Sequence, residues 1–325
     1  MFKPHPIHPN MYSCEPYWHT YKCYAKQRWV GMTIFELMST EFMLYTPEYY
    51  KKAMEDGMIT INDQPCQDDD VIIDGDIIRH KTFNTEPYIG DISLIQLYNI
   101  KNWEITDEKS DLMAVYKPCN IPIHQSGAYN RNTLISAIKD KFGMTVAPLH
   151  RLDRLTSGMM LVSNTPKVHQ HLFAENKLQK EYYCLVKGEI EWNERVVNKG
   201  ISTYCGKRGL MTLDDAGKQS ETKFIKVVTF NGSTLLKAYP YTGRTHQIRL
   251  HCVHIGHPII NDPIYKNGLP NPNEWYSRNN DDITQDSELY LHANAYALDG
   301  KSITCPQVPY WVSDFLSNAQ QSKSD

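Results

Sequence analysis

At 325 residues the chain has room for one large domain and a small one, and it can bury a substantial core. Hydrophobic residues make up 41% and charged residues 22%, a globular balance that excludes a low-complexity or collagen-like chain. The formal net charge of −3 excludes a broadly basic nucleic-acid coat, although a local groove stays open because phosphate binding depends on where Lys and Arg sit.

Eight cysteines are scattered without a C-x-x-C pair, which reads as free thiols in a reducing compartment. No stretch approaches the ~20 apolar residues of a membrane helix. Met1 to Asn10 has neither a signal-peptide core nor an Arg-rich amphipathic pattern. A soluble intracellular protein is expected, with the cytoplasm as the default compartment and the nucleus as the alternative.

In chain order, residues 1–24 read as a short leader and residues 25–88 as a small α/β domain. Ile34, Phe35, Leu37 and Met38 recur at near-helical spacing, as do Tyr49, Tyr50, Ala53 and Met54 after Pro47, with Gly57 as the C-cap. A small strand pair follows, with turns at Asn62-Asp63 and Asp74-Gly75. This stretch resembles the alpha-L RNA-binding fold through Arg28-Trp-Val-Gly31, Gly57 to Asn62 and Asp74 to Ile78. The resemblance implies an RNA-facing surface on which Lys51 and Lys52 are the natural phosphate contacts, with the acidic run Asp68 to Asp70 facing away. A solvated helix face is the competing explanation for both lysines.

Residues 89–104 read as a linker, since Pro87 and Gly90 interrupt the pattern. The main domain spans residues 105–318, with a tail at 319–325. Strands are expected at Asp111 to Lys117, Gly158 to Val162 and Tyr182 to Gly188. A hairpin joins Thr222–Phe230 to Ser233–Tyr239 through Asn231-Gly232. Helices are expected over Leu134 to Lys141, Pro166 to Glu175 and Thr245 to Ile255. Helices interspersed in a hairpin-rich sheet point to α+β rather than a regular βαβ alternation.

Three segments carry chemistry. In His150-Arg-Leu-Asp-Arg-Leu-Thr-Ser-Gly158, a carboxylate flanked by Arg enters an apolar strand. Burying it is costly unless a cation or several donors satisfy it, so either a site or a structural ion pair is indicated. In Tyr241 to His251, a Gly turn leads into a helix on which Arg249 faces a pocket while its neighbours anchor the helix. Lys180-Glu-Tyr182 opens a strand with a Tyr able to stack on a planar base. His246, His251, His254 and His257 beside Cys252 invite a metal reading. No second carboxylate or Cys pair accompanies them at ligand spacing, so no metal site is expected.

From Asp111 to Ala293 these segments together resemble the RluA-type pseudouridine synthases. The match runs through Tyr116-Lys-Pro118, Ile123-His-Gln-Ser-Gly127, the His150–Gly158 signature and Lys180-x-Tyr182. It continues through Gly243-Arg-Thr-His-Gln-Ile-Arg249, Asn261-Asp-Pro-Ile-Tyr265 and Leu291-His-Ala293. The resemblance implies a mixed, mainly antiparallel sheet of pseudouridine synthase type with flanking helices and loops. It maps the catalytic Asp to Asp153, the stacking Tyr to Tyr182 and the Asp-pairing Arg to Arg249. Arg151 would fill the space left by a flipped base, and Arg244 would contact phosphate; apart from the resemblance, His246 reads as an RNA contact or as packing, and Lys180 as an RNA-phosphate contact or as structural. The departures are Tyr116 for the usual Asp, Gln125 for Pro, Asn261 for Gly, and Lys266 after Tyr265.

Glu15-Pro-Tyr17, Arg28 to Gly31 and Tyr49-Tyr50 are similar to the eukaryotic branch, which implies tRNA, typically its anticodon stem-loop, as the partner, with mRNA or rRNA as alternatives. The implied enzyme is a monomeric isomerase without cofactor, metal or membrane partner. Asp153 would act at the ribose as nucleophile or as base, and the sequence does not choose. A catalytically silent RNA-binding protein and an aspartate-nucleophile hydrolase are the competing classes. The first has no need of an expensive buried charge pair, and the second lacks an acidic cluster for Mg²⁺.

Overall fold

The computed structural model describes residues 2–42, 44–100, 112–164, 178–205, 209–270, 288–298 and 300–322. The expected helix at Pro166 to Glu175 lies outside them, as does all of the acidic stretch from Asp281 but Glu288. Strands β1 (Phe2–Pro4) and β2 (Tyr12–Cys14) pair as a ribbon. The rest divides into two compact units, residues 14–87 with 126–130, and residues 88–125 with 131–325 and the N-terminal 2–13.

In the smaller unit, Thr33 and Glu36 form a reciprocal capping box that starts α1 (Ile34–Glu41). Thr46 caps α2 (Pro47–Glu55), with Pro47 in the first turn, where its missing N–H costs nothing. Strand β3 (Tyr17–Tyr24) lies within the stretch read as leader. Its alternating sequence suits a sheet with one wet face, and it pairs along its full length with β6 (Ile77–Asn84). Between them in sequence, β4 (Ile59–Ile61) and β5 (Gln64–Pro65) form a hairpin whose turn residues Asn62 and Asp63 are both left-handed. The sheet order is β3-β6-β4-β5. Trp29, Ile34, Leu37, Tyr50, Ile59 and Ile78 close the core between helices and sheet.

The larger unit is built on a 10-stranded sheet. In chain order its strands are β7 (Gln96–Asn99), β8 (Leu112–Lys117), β9 (Ala147–Pro148), β10 (Ser157–Ser163) and β11 (Gln179–Lys187). Then come β12 (Glu194–Asn198), the separate ribbon β13 (Ile201–Cys205) with β14 (Leu210–Leu213), and the hairpin β15 (Glu221–Phe230) with β16 (Ser233–Pro240). β17 (Leu291–Leu298) and β18 (Lys301–Thr304) complete it. The order is β12-β15-β16-β11-β17-β10-β8-β7, with β9 on β10 and β18 on β17. β10 runs parallel to β17, and the other pairs are antiparallel. Strands β8 and β10 are buried throughout, which is why both read as continuous apolar runs. Helices α3 (Leu134–Phe142), α4 (Gln247–His254) and α5 (Tyr310–Gln321) flank the sheet.

The architecture is the expected α+β with a mainly antiparallel sheet. Local expectations fail at several points: β7 stands in the large sheet although residues 89–104 read as a linker, and α5 runs to Gln321, into the stretch read as a tail. The helix expected from Thr245 begins at Gln247, because His246 sits in the left-handed region at φ 58° and interrupts helical geometry. Thr245 therefore does not share a helical face with Arg249. Among the described residues no helix is long and apolar enough to cross a membrane.

Candidate active site

The loop carrying Asp153 enters the centre of the large sheet at β10. Gly158 adopts φ 116° beside β17, and a Cβ there would lie 2.3 Å from the carbonyl oxygen of Ala293. Only glycine permits this approach of the two parallel strands, which explains the last position of the Thr-Ser-Gly run.

Several contacts pin the loop from below. The Lys117 ammonium, fully buried at the end of β8, donates to the carbonyls of Pro118 (3.0 Å), Ile121 (3.0 Å) and Arg154 (2.9 Å). Burial pushes its pKa down to about 7, while three carbonyl acceptors suit the protonated form. Ile121 N–H donates to the Arg154 carbonyl at 3.1 Å, and the Arg154 side chain donates to Asn120. His150 accepts the Leu161 N–H at Nε2 (3.1 Å), and burial lowers its pKa to about 3, so it is a neutral anchor between loop and strand.

Above the loop stands Arg249 on α4. Its Nε and Nη2 grip the Asp262 carboxylate at 2.7 and 2.8 Å, and its Nη1 reaches Asp153 Oδ2 at 3.2 Å. The Arg249 and Asp262 side chains are 3% and 1% exposed, whereas Asp153 is 24% exposed. The three charges differ in purpose. Asp262 also accepts the N–H groups of Ile264 and Tyr265, so it is fully satisfied and aims the guanidinium. Asp153 keeps an accessible carboxylate. Burial alone would raise the Asp153 pKa; neighbouring positive charge outweighs it and holds the group below the usual carboxylate range.

His246 has its Nε2 3.8 Å from Asp153 Oδ2, but burial, reinforced by Arg249, lowers its own pKa to about 4. At neutral pH it is uncharged and Arg249 is the standing cation beside Asp153, while in the acid range a protonated His246 adds its charge in holding Asp153 ionised. The His246 ring is held at Nδ1 by the Tyr265 hydroxyl (2.7 Å), and the Arg249 guanidinium lies 4.9 Å from the Tyr265 ring centre. Gln247 locks the preceding turn by accepting from Thr242 Oγ1 (2.7 Å) and Arg244 N–H (3.0 Å) and donating to Glu221 and Thr222.

Tyr182 sits at a bulge in β11, between Glu181 and itself, that changes the side-chain alternation at this point. Its ring is buried, and burial raises its pKa. The Lys180 ammonium is partly buried, and burial lowers its pKa. Arg151 is exposed on the Asp153 loop. Arg244 donates from Nε to the Gln219 carbonyl (3.0 Å) and lines a cavity of about 490 Å³ with Lys218, Thr203 and Met211.

Asp153, Arg249 and His246 are thus brought into one constellation. Lys51 and Lys52 belong to α2 of the smaller unit, where both are exposed and Lys51 Nζ stands 3.6 Å from Asp68. That contact sets one carboxylate of the acidic run beside Lys51. Sequence reasoning assigned no role to Asp262, Tyr265 or Lys117, although the Asn261–Tyr265 and Tyr116–Pro118 runs were visible. His251 bonds Thr222 and Ser220, and among the described residues no cluster of His, Cys, Asp and Glu is arranged to hold a metal.

Residues 111–254 match the family profile described as RNA pseudouridylate synthase. The chain belongs to the RluA type of that family. It is 34% identical over 282 residues to pseudouridylate synthase RPUSD2 of Homo sapiens, covering 84% of this chain and 50% of that protein. It is also 34% identical over 260 residues to the mitochondrial tRNA pseudouridine(32) synthase of Saccharomyces cerevisiae, covering 78% of this chain and 54% of that one. The chain spans about half the length of these curated relatives. The solved structure of human RNA Pseudouridylate Synthase Domain Containing 1 shares the fold, with a TM-score of 0.50 at 22% identity over 70% of this chain and 89% of that one.

Proposed function

We propose that the chain is an RNA pseudouridine synthase that isomerises uridine in tRNA, in the anticodon stem-loop. The observation that carries this reading is the accessible Asp153 carboxylate, held ionised by an arginine that a second, buried aspartate fixes in place. A hydrolase that uses an aspartate with Mg²⁺ would want carboxylates converging on open space, not two sharing one guanidinium.

The reaction breaks the N1–C1′ bond of uridine, turns the base, forms a C5–C1′ bond and releases the C5 proton to N1 or solvent. Nothing is oxidised and no group leaves the nucleotide, so the chemistry calls for no electron or group carrier. Extruding a stacked uridine costs a few kcal/mol. In this reading Tyr182 receives the base by stacking and Arg151 fills the gap. Asp153 either attacks C1′ or removes the proton at C2′. Lys180, Arg244 and His246 contact the RNA around the site. Lys51 and Lys52 contact phosphate from the smaller unit, which we read as an alpha-L-type RNA-binding domain within residues 25–88.

The tRNA assignment is supported by the names of two yeast relatives, tRNA pseudouridine(32) synthase and tRNA pseudouridine(31) synthase. We assign the protein to the cytoplasm as a monomer, although the first of those relatives is named as mitochondrial. Incubating the purified chain with unmodified tRNA transcripts and mapping pseudouridine by carbodiimide stops tests the reading. Stops at defined anticodon-loop uridines support it; stops only on rRNA or mRNA transcripts replace the substrate, and none on any RNA removes the activity.

A further inference from the structure

The sheet of the smaller unit turns one face to α1 and α2 and the other to solvent. Along β3 the side chains alternate, so that Tyr17 and Cys23 lie on the helix side while Trp18, Thr20, Lys22 and Tyr24 point outward. In β6, Ile78, His80, Thr82 and Asn84 are buried, and Arg79, Lys81 and Phe83 lie on the opposite face. The antiparallel register sets Trp18 opposite Phe83, Thr20 opposite Lys81 and Lys22 opposite Arg79.

The outer face therefore carries aromatic rings interleaved with cations. Trp18, Phe83 and Tyr24 are 55%, 53% and 61% exposed, unusually open for rings of this size. Trp18 and Phe83 form a tilted pair with centroids 5.4 Å apart. Lys81 Nζ lies 5.4 Å from the Trp18 ring and Lys22 Nζ 4.9 Å from the Tyr24 ring. Neither strand contains an Asp or Glu, in a chain whose formal net charge is −3. Arg79 is paired with Asp63 in the adjoining turn, which leaves Lys22 and Lys81 as the cations set over the rings.

We propose that this outer sheet face, centred on Trp18, Phe83, Lys22 and Lys81, is a docking platform for single-stranded RNA. Exposed rings supply π-faces on which successive bases stack irrespective of sequence, and the interleaved ammonium groups sit where the connecting phosphates run. An acidic protein partner would use the lysines but leave no need for the rings, and an apolar partner would use the rings but bury the lysines. Only a polyanion with stacking planes uses both. The surface lies apart from α2, which bears Lys51 and Lys52, so it is an additional contact rather than a restatement of that one. The proposal rests on the reading that the chain acts on RNA.

The test is binding of a short fluorescein-labelled oligoadenylate to the full chain, followed by anisotropy over a range of salt. Oligoadenylate contains no uridine, so it probes docking without asking for catalysis. The wild type is expected to bind with an affinity that falls steeply with salt, and Trp18→Ala with Phe83→Ala is expected to weaken binding about tenfold or more. Lys22→Glu with Lys81→Glu is expected to weaken it and flatten the salt dependence. Circular dichroism melts confirm that both double variants fold. No binding by the wild type at low salt, or equal binding by both variants, overturns the platform. Pseudouridine formation on tRNA without oligoadenylate binding also overturns it while leaving the enzyme in place. Ring-dependent oligoadenylate binding without any pseudouridine formation supports the platform and refutes the catalytic reading.

Discussion

Arg249 reaches Asp153 with a single nitrogen, Nη1 to Oδ2 at 3.2 Å, because its other two donors are committed to Asp262. The cation is therefore positioned before any substrate arrives, and it neutralises Asp153 electrostatically without covering it. Several outcomes depend on that division.

Removing the cation should move the acid limb of activity. Burial alone would raise the Asp153 pKa, and the neighbouring charges of His246 and Arg249, with the Arg249 hydrogen bond, reverse this and hold the carboxylate below its usual range. In Arg249→Gln only His246, once protonated, opposes the burial effect, and the acid limb of kcat should shift to higher pH. His246, with a pKa lowered to about 4, should contribute no limb near neutrality. The same depressed Asp153 pKa implies stability present above the unfolded carboxyl value and lost as pH falls through the folded one. A pH–rate profile with the same acid limb in both proteins would contradict the pairing.

Asp262→Ala should be strongly destabilising, because the carboxylate is buried and fully hydrogen-bonded. The substitution leaves a buried guanidinium with one of its three carboxylate hydrogen bonds and frees the N–H groups of Ile264 and Tyr265. Breaking one side of a buried pair typically costs ~3–5 kcal/mol. Urea unfolding should show the loss directly. Asp262→Asn, which keeps the shape, should retain more stability but reduce kcat, since Arg249 is no longer aimed.

Lys117→Met tests the floor of the site. Methionine fills the volume but strands the carbonyls of Pro118 and Ile121, while that of Arg154 keeps the Ile121 N–H. Each buried acceptor so stranded costs ~1–3 kcal/mol, and the Asp153 loop loses its main tether. A lower melting temperature together with reduced kcat is expected.

Gly158→Ala should be among the most damaging small substitutions in the chain. The new methyl would meet the Ala293 carbonyl at 2.3 Å and the backbone would be held in a left-handed region. Strain and overpacking together should cost about 3 kcal/mol or more. Wild-type thermal stability in this variant would mean that β10 and β17 do not approach as described.

Much of this was legible in the sequence, and the reasons for the rest are physical. The Asn231-Gly232 hairpin and the buried strand from Gly158 to Val162 announce themselves through turn chemistry and continuous apolar residues. Motif context singled out Asp153 and Arg249, and folding brings them together across 96 positions of chain. Asp262 was missed because its carboxylate is satisfied by a guanidinium 13 residues away, a partnership that no local period encodes. The strand Tyr17–Tyr24 was absorbed into a leader, since its partner β6 comes more than a helical hairpin later in the chain. The start of α4 was misjudged by two residues because one left-handed histidine, His246, is invisible to helix propensity.

The most direct measurement compares wild type with Asp153→Asn on unmodified tRNA transcripts, scoring pseudouridine formation and RNA binding in the same preparation. The account predicts product at defined uridines for the wild type, none for the variant, and near-equal RNA affinity for both. Substantial product from Asp153→Asn would contradict it, because among the described residues no other accessible carboxylate pairs with Arg249.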